Sequence, residues 1–171
     1  MPTISQLDQF LEDNSDIEMF EILLHDLNGT QRGKWLPKDK IHKVFNGGFK
    51  MPLSSCSFDC WGRDQEELIK ATGDADGICV PHAETLAMVP WAEKATAQMI
   101  ISMGNESGDG PYGGDCRSVL KSVVDRFGQL GLTPVVASEM EFHLLTLERD
   151  KFGIPQHSQT AIDGSPAIGG Q

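Results

Sequence analysis

Val135-Val136-Ala137-Ser138-Glu139-Met140-Glu141-Phe142-His143 sets two carboxylates into an otherwise apolar run. On a β-strand alternate side chains share a face, so Glu139, Glu141 and His143 would lie on one side and Ser138, Met140 and Phe142 on the other. Two carboxylates side by side are costly to bury unless a cation or strong hydrogen-bond donors compensate them. That chemistry suits Mg²⁺ or Mn²⁺, hard ions that prefer oxygen ligands. The same residues also fit a strand at a solvent-facing edge with two exposed acids. His143 reads either as a further ligand or outer donor, or as a packed, hydrogen-bonded histidine.

The pattern around this run predicts the elements that would position it. Asp115 to Gln129 places Val119, Leu120, Val123, Val124 and Phe127 at helical spacing, with Gly128 and Gly131 near its end. Before it, Gly104 to Gly114 reads as a glycine-rich linker. It has neither the Lys-Ser/Thr pair of a P-loop nor the context of a dinucleotide fingerprint. Thr3 to Glu12 spaces Ile4, Leu7, Phe10 and Leu11 as a short amphipathic helix. Ile17 to Asp26 is apolar and β-prone, Asn28-Gly29 is a strong hairpin signal, and Thr30 to Leu36 would be the returning strand. Pro37 opens a helix through about Phe45, closed by Asn46-Gly47-Gly48.

Met51 to Gly73 reads as a long irregular loop. Gly77 to Pro81 and Ala97 to Met103 read as further strands, and Lys151 to Gln171 shows no periodicity. The sum is an α+β chain in which a helix packs on one face of a small sheet. Gly73-Asp74-Ala75-Asp76-Gly77 carries two acids but lacks the ligand spacing and closing glutamate of a calcium loop.

The 171 residues allow one medium domain or two small ones, and 39% hydrophobic with 23% charged residues is the profile of a globular protein. A formal net charge of -11 disfavours nonspecific binding to nucleic acid or to anionic membranes. Nucleotide could still bind through a local basic site or through metal ions. No segment approaches the run of about 20 apolar residues that spans a bilayer. Met1 to Asn14 lacks the basic start and apolar run of a signal peptide, and the expected location is cytoplasmic. Cys56, Cys60, Cys79 and Cys116 form no C-x-x-C pair and no common zinc spacing, so they read as reduced thiols.

Several segments in order carry a resemblance. They are Asp26-Leu27-Asn28-Gly29 with Arg32-Gly33-Lys34, Phe58-Asp59, Gly73-Asp74-Ala75-Asp76-Gly77, Thr85-Leu86 with Val89-Pro90-Trp91, Arg117-Ser118-Val119-Leu120, and Glu139-Met140-Glu141-Phe142. Each alone is weak, but their order and spacing over Ile17 to Leu145 are specific. Together the chain resembles the N-terminal part of a glutamine synthetase family enzyme. Its Asp-Leu-Asn-Gly-x-x-Arg-Gly-Lys opening looks most like the γ-glutamylpolyamine synthetase branch.

The resemblance implies an N-terminal helix over 1–14, a β-grasp domain over 15–108, and the beginning of a larger catalytic domain over 109–171. It implies a ligase that consumes ATP, activates glutamate as γ-glutamyl phosphate and joins it to ammonia or an amine. Family members hold Mg²⁺ or Mn²⁺ and assemble as homo-oligomeric double rings. Glu139 and Glu141 match the family's metal-holding glutamates. Divalent ions are needed because phosphoryl transfer to a carboxylate brings two anions together. Asp59 matches the aspartate that reaches into a neighbouring subunit's amine site, where it attracts and helps deprotonate the ammonium. Read without the resemblance, Asp59 is a loop aspartate closing an Asx-turn or making a surface contact.

Three positions depart from the family pattern. Asp59-Cys60-Trp61-Gly62 replaces an Asp-Gly-Ser-Ser run, Asp115-Cys116-Arg117 replaces Asp-Pro-Arg, and His143 stands where an aromatic residue is usual. The altered loop would suit an amine bulkier than ammonia. The resemblance covers only about the first third of a family enzyme and lacks the later metal glutamates, the metal histidine and the phosphate-binding arginines. The expectation is therefore that these residues alone have no synthetase activity. The contrasting reading is a noncatalytic β-grasp module for binding or assembly. Residues 15 to 103 could fold alone with marginal stability, and the Val135 strand would expose an apolar edge.

Overall fold

The computed structural model describes residues 4–159 and Gly164. The chain divides into two compact units, residues 1–133 and 134–171. In the first unit, β1 (Met19–His25) alternates half-buried and buried positions, sending Phe20, Ile22 and Leu24 into the core. β2 (Gln31–Pro37) returns antiparallel along it, pairing Leu23 with Gly33 and Glu21 with Trp35. These two strands are the expected hairpin. α1 (Ile4–Asp13) is the expected first helix, and its Leu7 is fully buried in the same core.

β2 runs on through Pro37 into a 3-10 turn, Lys38–Lys40, and then the single-turn helix α2 (His42–Phe45). The helix expected over Pro37 to Phe45 is therefore broken into two short pieces. Their apolar residues Ile41 and Val44 are fully buried, so packing rather than helix length decides this segment.

The region Met51 to Gly73 is also more ordered than its composition suggests. It contains part of β3 (Lys50–Pro52), a 3-10 turn over Leu53–Cys56, and α3 (Glu66–Thr72). The helical signals are local: Glu66 and Glu67 stand at its positive end, and Gly73 closes it at φ 63°.

β4 (Asp76–Pro81), β5 (Ala87–Met88) and β6 (Thr96–Met103) complete the sheet, in the order β2-β1-β6-β4-β3 with β5 also on β6. β1 and β6 run parallel at its centre, with Phe20 beside Ala97 and Ile22 beside Met99. β5 and β4 follow one another along the other edge of β6. The core lies on the face that carries Phe20, Ile22, Leu24, Ala97, Met99 and Ile101, all buried. Each such side chain contributes roughly 1.5–3 kcal/mol on burial if it is Val-sized or larger.

The expected linker Gly104 to Gly114 is an anchored loop. Gly104 N–H donates to Ile78 O at 2.9 Å, Tyr112 N–H donates to Met103 O at 2.9 Å, and Tyr112 packs against the core. α4 (Cys116–Gln129) follows, capped by buried Asp115, whose carboxylate accepts from Ser118 N–H at 2.8 Å. Its apolar residues Val119, Leu120, Val123, Val124 and Phe127 are exposed.

In the second unit the strand expected over Val135 to His143 is absent. Residues 134–144 have no regular secondary structure, and Val135 and Val136 are 92% and 91% exposed. A strand exists through backbone pairing with a neighbour, and among the described residues nothing pairs with residues 134–143; Leu144 O, at the end of the stretch, accepts from Ser158 N–H at 3.1 Å. β7 (Leu145–Arg149) and β8 (Pro155–His157) form a hairpin instead, closed where Asp150 Oδ1 accepts from Phe152 and Ile154 N–H. Residues 160–163 and 165–171 of the stretch expected to lack periodicity lie outside the described residues.

All four cysteines are free. Burial pushes the thiols of Cys56 and Cys79 up to about 12, whereas Cys60 is exposed. Because the thiolate is the nucleophile, brief alkylation of the native chain at pH 8 should label Cys60 and leave Cys56 and Cys79 unmodified until denaturant is added. Peptide mass spectrometry reads this out directly; rapid native labelling of Cys56 would contradict the packing. No helix among the described residues is long and apolar enough to cross a membrane.

Candidate functional site

The connection between β1 and β2 is built around one buried carboxylate. Asp26 Oδ1 accepts from the N–H groups of Asn28 and Thr30, both at 2.9 Å, and its Oδ2 accepts from Arg32 Nε at 3.0 Å. Burial pushes this carboxyl up, but the Thr30 N–H, the Arg32 side chain and the Asn28 N–H together hold it below its ordinary value. Asp26 N–H also donates to Thr30 O, and Gly29 takes the one left-handed position of the turn at φ 74°. The connection is thus a loop closed on Asp26, not the two-residue Asn-Gly turn expected.

That geometry frees Asn28 for another task. Its Nδ2 donates to Phe58 O at 3.0 Å and Asp59 O at 3.1 Å. Arg32 meanwhile lays its guanidinium 4.3 Å from the centre of the Phe58 ring. The Asp26-x-Asn28-x-x-x-Arg32 spacing therefore grips the segment that carries Asp59.

Asp59 closes its own small loop. Phe58 and Asp64 bridge its base, Asp59 N–H donates to Arg63 O at 2.9 Å, and Gly62 turns the tip at φ 75°. Asp59 Oδ1 accepts from Trp61 N–H at 2.8 Å and Arg63 N–H at 2.9 Å, and Oδ2 accepts from Arg63 Nε at 2.9 Å. The Arg63 N–H first, then its side chain and the Trp61 N–H, outweigh desolvation and hold the carboxyl below the usual carboxylate range. This is the Asx-turn arrangement, and it keeps Asp59 anionic at neutral pH. Beside the loop, Leu27, Cys56, Ser57, Phe58, Gln65 and Tyr112 line an open, mostly apolar cleft of about 470 Å³.

Glu139 and Glu141 lie in the second unit, exposed on the irregular stretch, with no hydrogen bond or ion pair among the described residues. His143 is exposed on the same stretch and packs nowhere as a core histidine would. Among the described residues there is no cluster of His, Cys, Asp and Glu able to hold a metal ion on its own. Within the first unit the structure joins Asp59 to Asp26, Asn28, Arg32 and Arg63. Arg63 is the member of the site that the sequence reading passed over. Its only signal was a cation four residues after Asp59 in a Gly-containing loop.

Gamma-glutamylputrescine synthetase of Escherichia coli (strain K12) is 34% identical over 153 residues, which is 88% of this chain and 32% of that protein. A glutamate–methylamine ligase of Methyloversatilis universalis is 28% identical over 141 residues, 82% of this chain and 29% of that one. A glutamine synthetase of Pyrococcus abyssi is 26% identical over 124 residues, 72% and 25% of the two chains.

Among solved structures, GmaS in complex with ADP superposes with a TM-score of 0.57 at 25% identity, covering 76% of this chain and 26% of that one. No protein-family profile matches the chain. It spans about a third of the length of the E. coli relative. The mixed helix-and-sheet architecture resembles that of GmaS. The chain belongs to the glutamine synthetase family and matches the N-terminal portion of its members.

Proposed function

We propose that this chain is the N-terminal part of an ATP-dependent ligase that activates glutamate as γ-glutamyl phosphate and joins it to an amine. The observation that supports this most is the 34% identity to a gamma-glutamylputrescine synthetase over 88% of the chain. An organic amine rather than ammonia is favoured by that relative and by the methylamine ligase. The bulky Asp59-Cys60-Trp61-Gly62 loop beside an apolar cleft fits the same reading.

In this reading residues 15–108 form a β-grasp domain, with the parallel pair β1/β6 flanked by antiparallel strands and α2 packed on one face. Residues from 109 onward begin the catalytic domain. The enzyme works in the cytoplasm as a homo-oligomer whose amine site joins Asp59 to a neighbour's catalytic domain. Asp59 is already anionic near neutral pH, so its part is to attract and orient an ammonium more than to take its proton. A base works best when its pKa lies near the working pH.

Glu139 and Glu141 fit Mg²⁺ or Mn²⁺ by donor chemistry: both are hard oxygen donors, and no protein group competes for them among the described residues. When bound, such ions neutralise phosphate charge during transfer. Two carboxylates do not complete a six-coordinate site, so the 171 residues by themselves should be inactive.

The test is ADP release by the product of the complete reading frame, with glutamate, ATP, Mg²⁺ and either ammonia, methylamine or putrescine. Amine-dependent release is expected from the long form and none from the 171-residue chain. Glu139→Ala and Glu141→Ala should each cut the rate by about 100-fold or more, beyond the loss of an outer hydrogen-bond partner of a ligand. A long form that releases no ADP in response to any amine would sink the ligase reading. Both glutamate variants running at the wild-type rate would remove the metal assignment.

A further inference from the structure

We infer that Arg63 is a built-in competitor for the amine: its guanidinium occupies the oxygen of Asp59 that the substrate's ammonium must take. The inference rests on the reading of Asp59 given above and adds how access to that carboxylate is controlled. The two oxygens of Asp59 are held differently. Oδ1 accepts only backbone N–H groups, from Trp61 and Arg63, and these fix the carboxylate in the loop. Oδ2 is met by a side chain, Arg63 Nε at 2.9 Å. That partner is a cation with N–H donors, which is also what a protonated amine offers.

Exchange of one cation for the other requires no backbone movement. The Arg63 side chain is 72% exposed and the Asp59 side chain 20%, so the guanidinium can swing into water while the carboxylate stays in place. The loop does not depend on the ion pair for its shape. It is held by the Asp59 N–H to Arg63 O and Gly62 N–H to Asp59 O bonds, and by the Asn28 clamp on Phe58 O and Asp59 O. An exposed ion pair is weak enough for a substrate cation to displace. Arg63 therefore shields the carboxylate without blocking it.

Competition by a tethered group raises the apparent KM of every amine by one common factor and leaves kcat alone. The complete enzyme is compared as wild type, Arg63→Gln, Arg63→Lys and Asp59→Asn, with KM measured for ammonia, methylamine, putrescine, glutamate and ATP. Arg63→Gln is expected to lower the KM of all the amines by the same factor, about two- to fivefold, the range an exposed ion pair sustains. Arg63→Lys should stay close to wild type, because a tethered cation is restored. The KM values of glutamate and ATP should not move.

An amine KM that rises or stays constant in Arg63→Gln overturns the inference. So does a fall shared by glutamate and ATP, which marks a general rearrangement. Asp59→Asn tests the role of Asp59 separately from that of Arg63. If it raises the amine KM while Arg63→Gln changes nothing, only the competitor role falls. If Asp59→Asn leaves the amine KM at the wild-type value, the assignment of Asp59 falls and the role of Arg63 with it.

Discussion

Gly33→Ala should destabilise the chain by about 3–5 kcal/mol, among the larger effects of any single substitution. Two independent costs combine at this position. Its φ of 144° lies where side chains are strongly disfavoured. A Cβ there would stand 1.8 Å from Ile22 O and 2.9 Å from Ile22 C, inside β1 itself. The obstructing atoms are backbone, so no side-chain rotation relieves the contact. Either β2 must leave β1 around the Leu23–Gly33 pair, or the glycine must be kept. Urea denaturation of the 171-residue chain, followed by circular dichroism, measures the loss. An unfolding free energy lowered by less than about 1 kcal/mol would mean that the strands do not approach as described.

Asp26→Ala is expected to cost about 2–4 kcal/mol, because it leaves donors without acceptors in a buried turn. The Asn28 and Thr30 N–H groups and the Arg32 guanidinium all lose the same carboxylate. The damage should spread to a segment more than thirty residues away in sequence, since Asn28 and Arg32 hold Phe58 and Asp59. Hydrogen exchange at 58–64 should therefore accelerate along with exchange in the turn, while β4 and β6 keep their protection.

The pH dependence of this contribution has a definite sign. The folded carboxyl titrates below its unfolded value of about 3.9, so the folded form binds fewer protons. The stabilisation is fully present above that pH and disappears as pH falls through the lower, folded value. The gap between wild type and Asp26→Ala should be flat between about pH 5 and 7 and should close in acid. A gap that widens on acidification would contradict the assignment. Exchange unchanged at 58–64 would show that the turn does not hold the Asp59 loop.

How far the site could be read in advance depends on the distance over which each feature is determined. The sequence marks Asp26, Asn28 and Gly29 as the turn of the hairpin that forms, but not the shape of that turn, which is a loop closed on Asp26. Asp26 sets that shape by offering a carboxylate to two N–H groups and a guanidinium at once. Arg32 looked like a motif residue with no stated partner. Its partners, Asp26 and the Phe58 ring, are six and twenty-six positions away, and only the folded chain brings both within reach. Asp59 had two readings; its three accepted hydrogen bonds show an Asx-turn, and that turn is also what presents an anionic Oδ2.

By itself the sequence determined what is local and periodic. Alternation at Phe20, Ile22 and Leu24 and at Met99, Ile101 and Met103 specified strands with one buried face. Asp115 ahead of a helical apolar stripe specified the start of α4. The ordered motifs specified the family.

What only the tertiary structure decided is which of these segments have partners. β1 lies parallel to β6 although more than seventy residues separate them, and that pairing makes both central. Val135 to His143 has an equally apolar composition around its acids, yet it forms no strand among the described residues. The physical reason is that side-chain alternation is written into each segment, whereas a strand is a relation between two segments. Its hydrogen bonds belong to the pair, and a chain read one residue after another does not contain the neighbour.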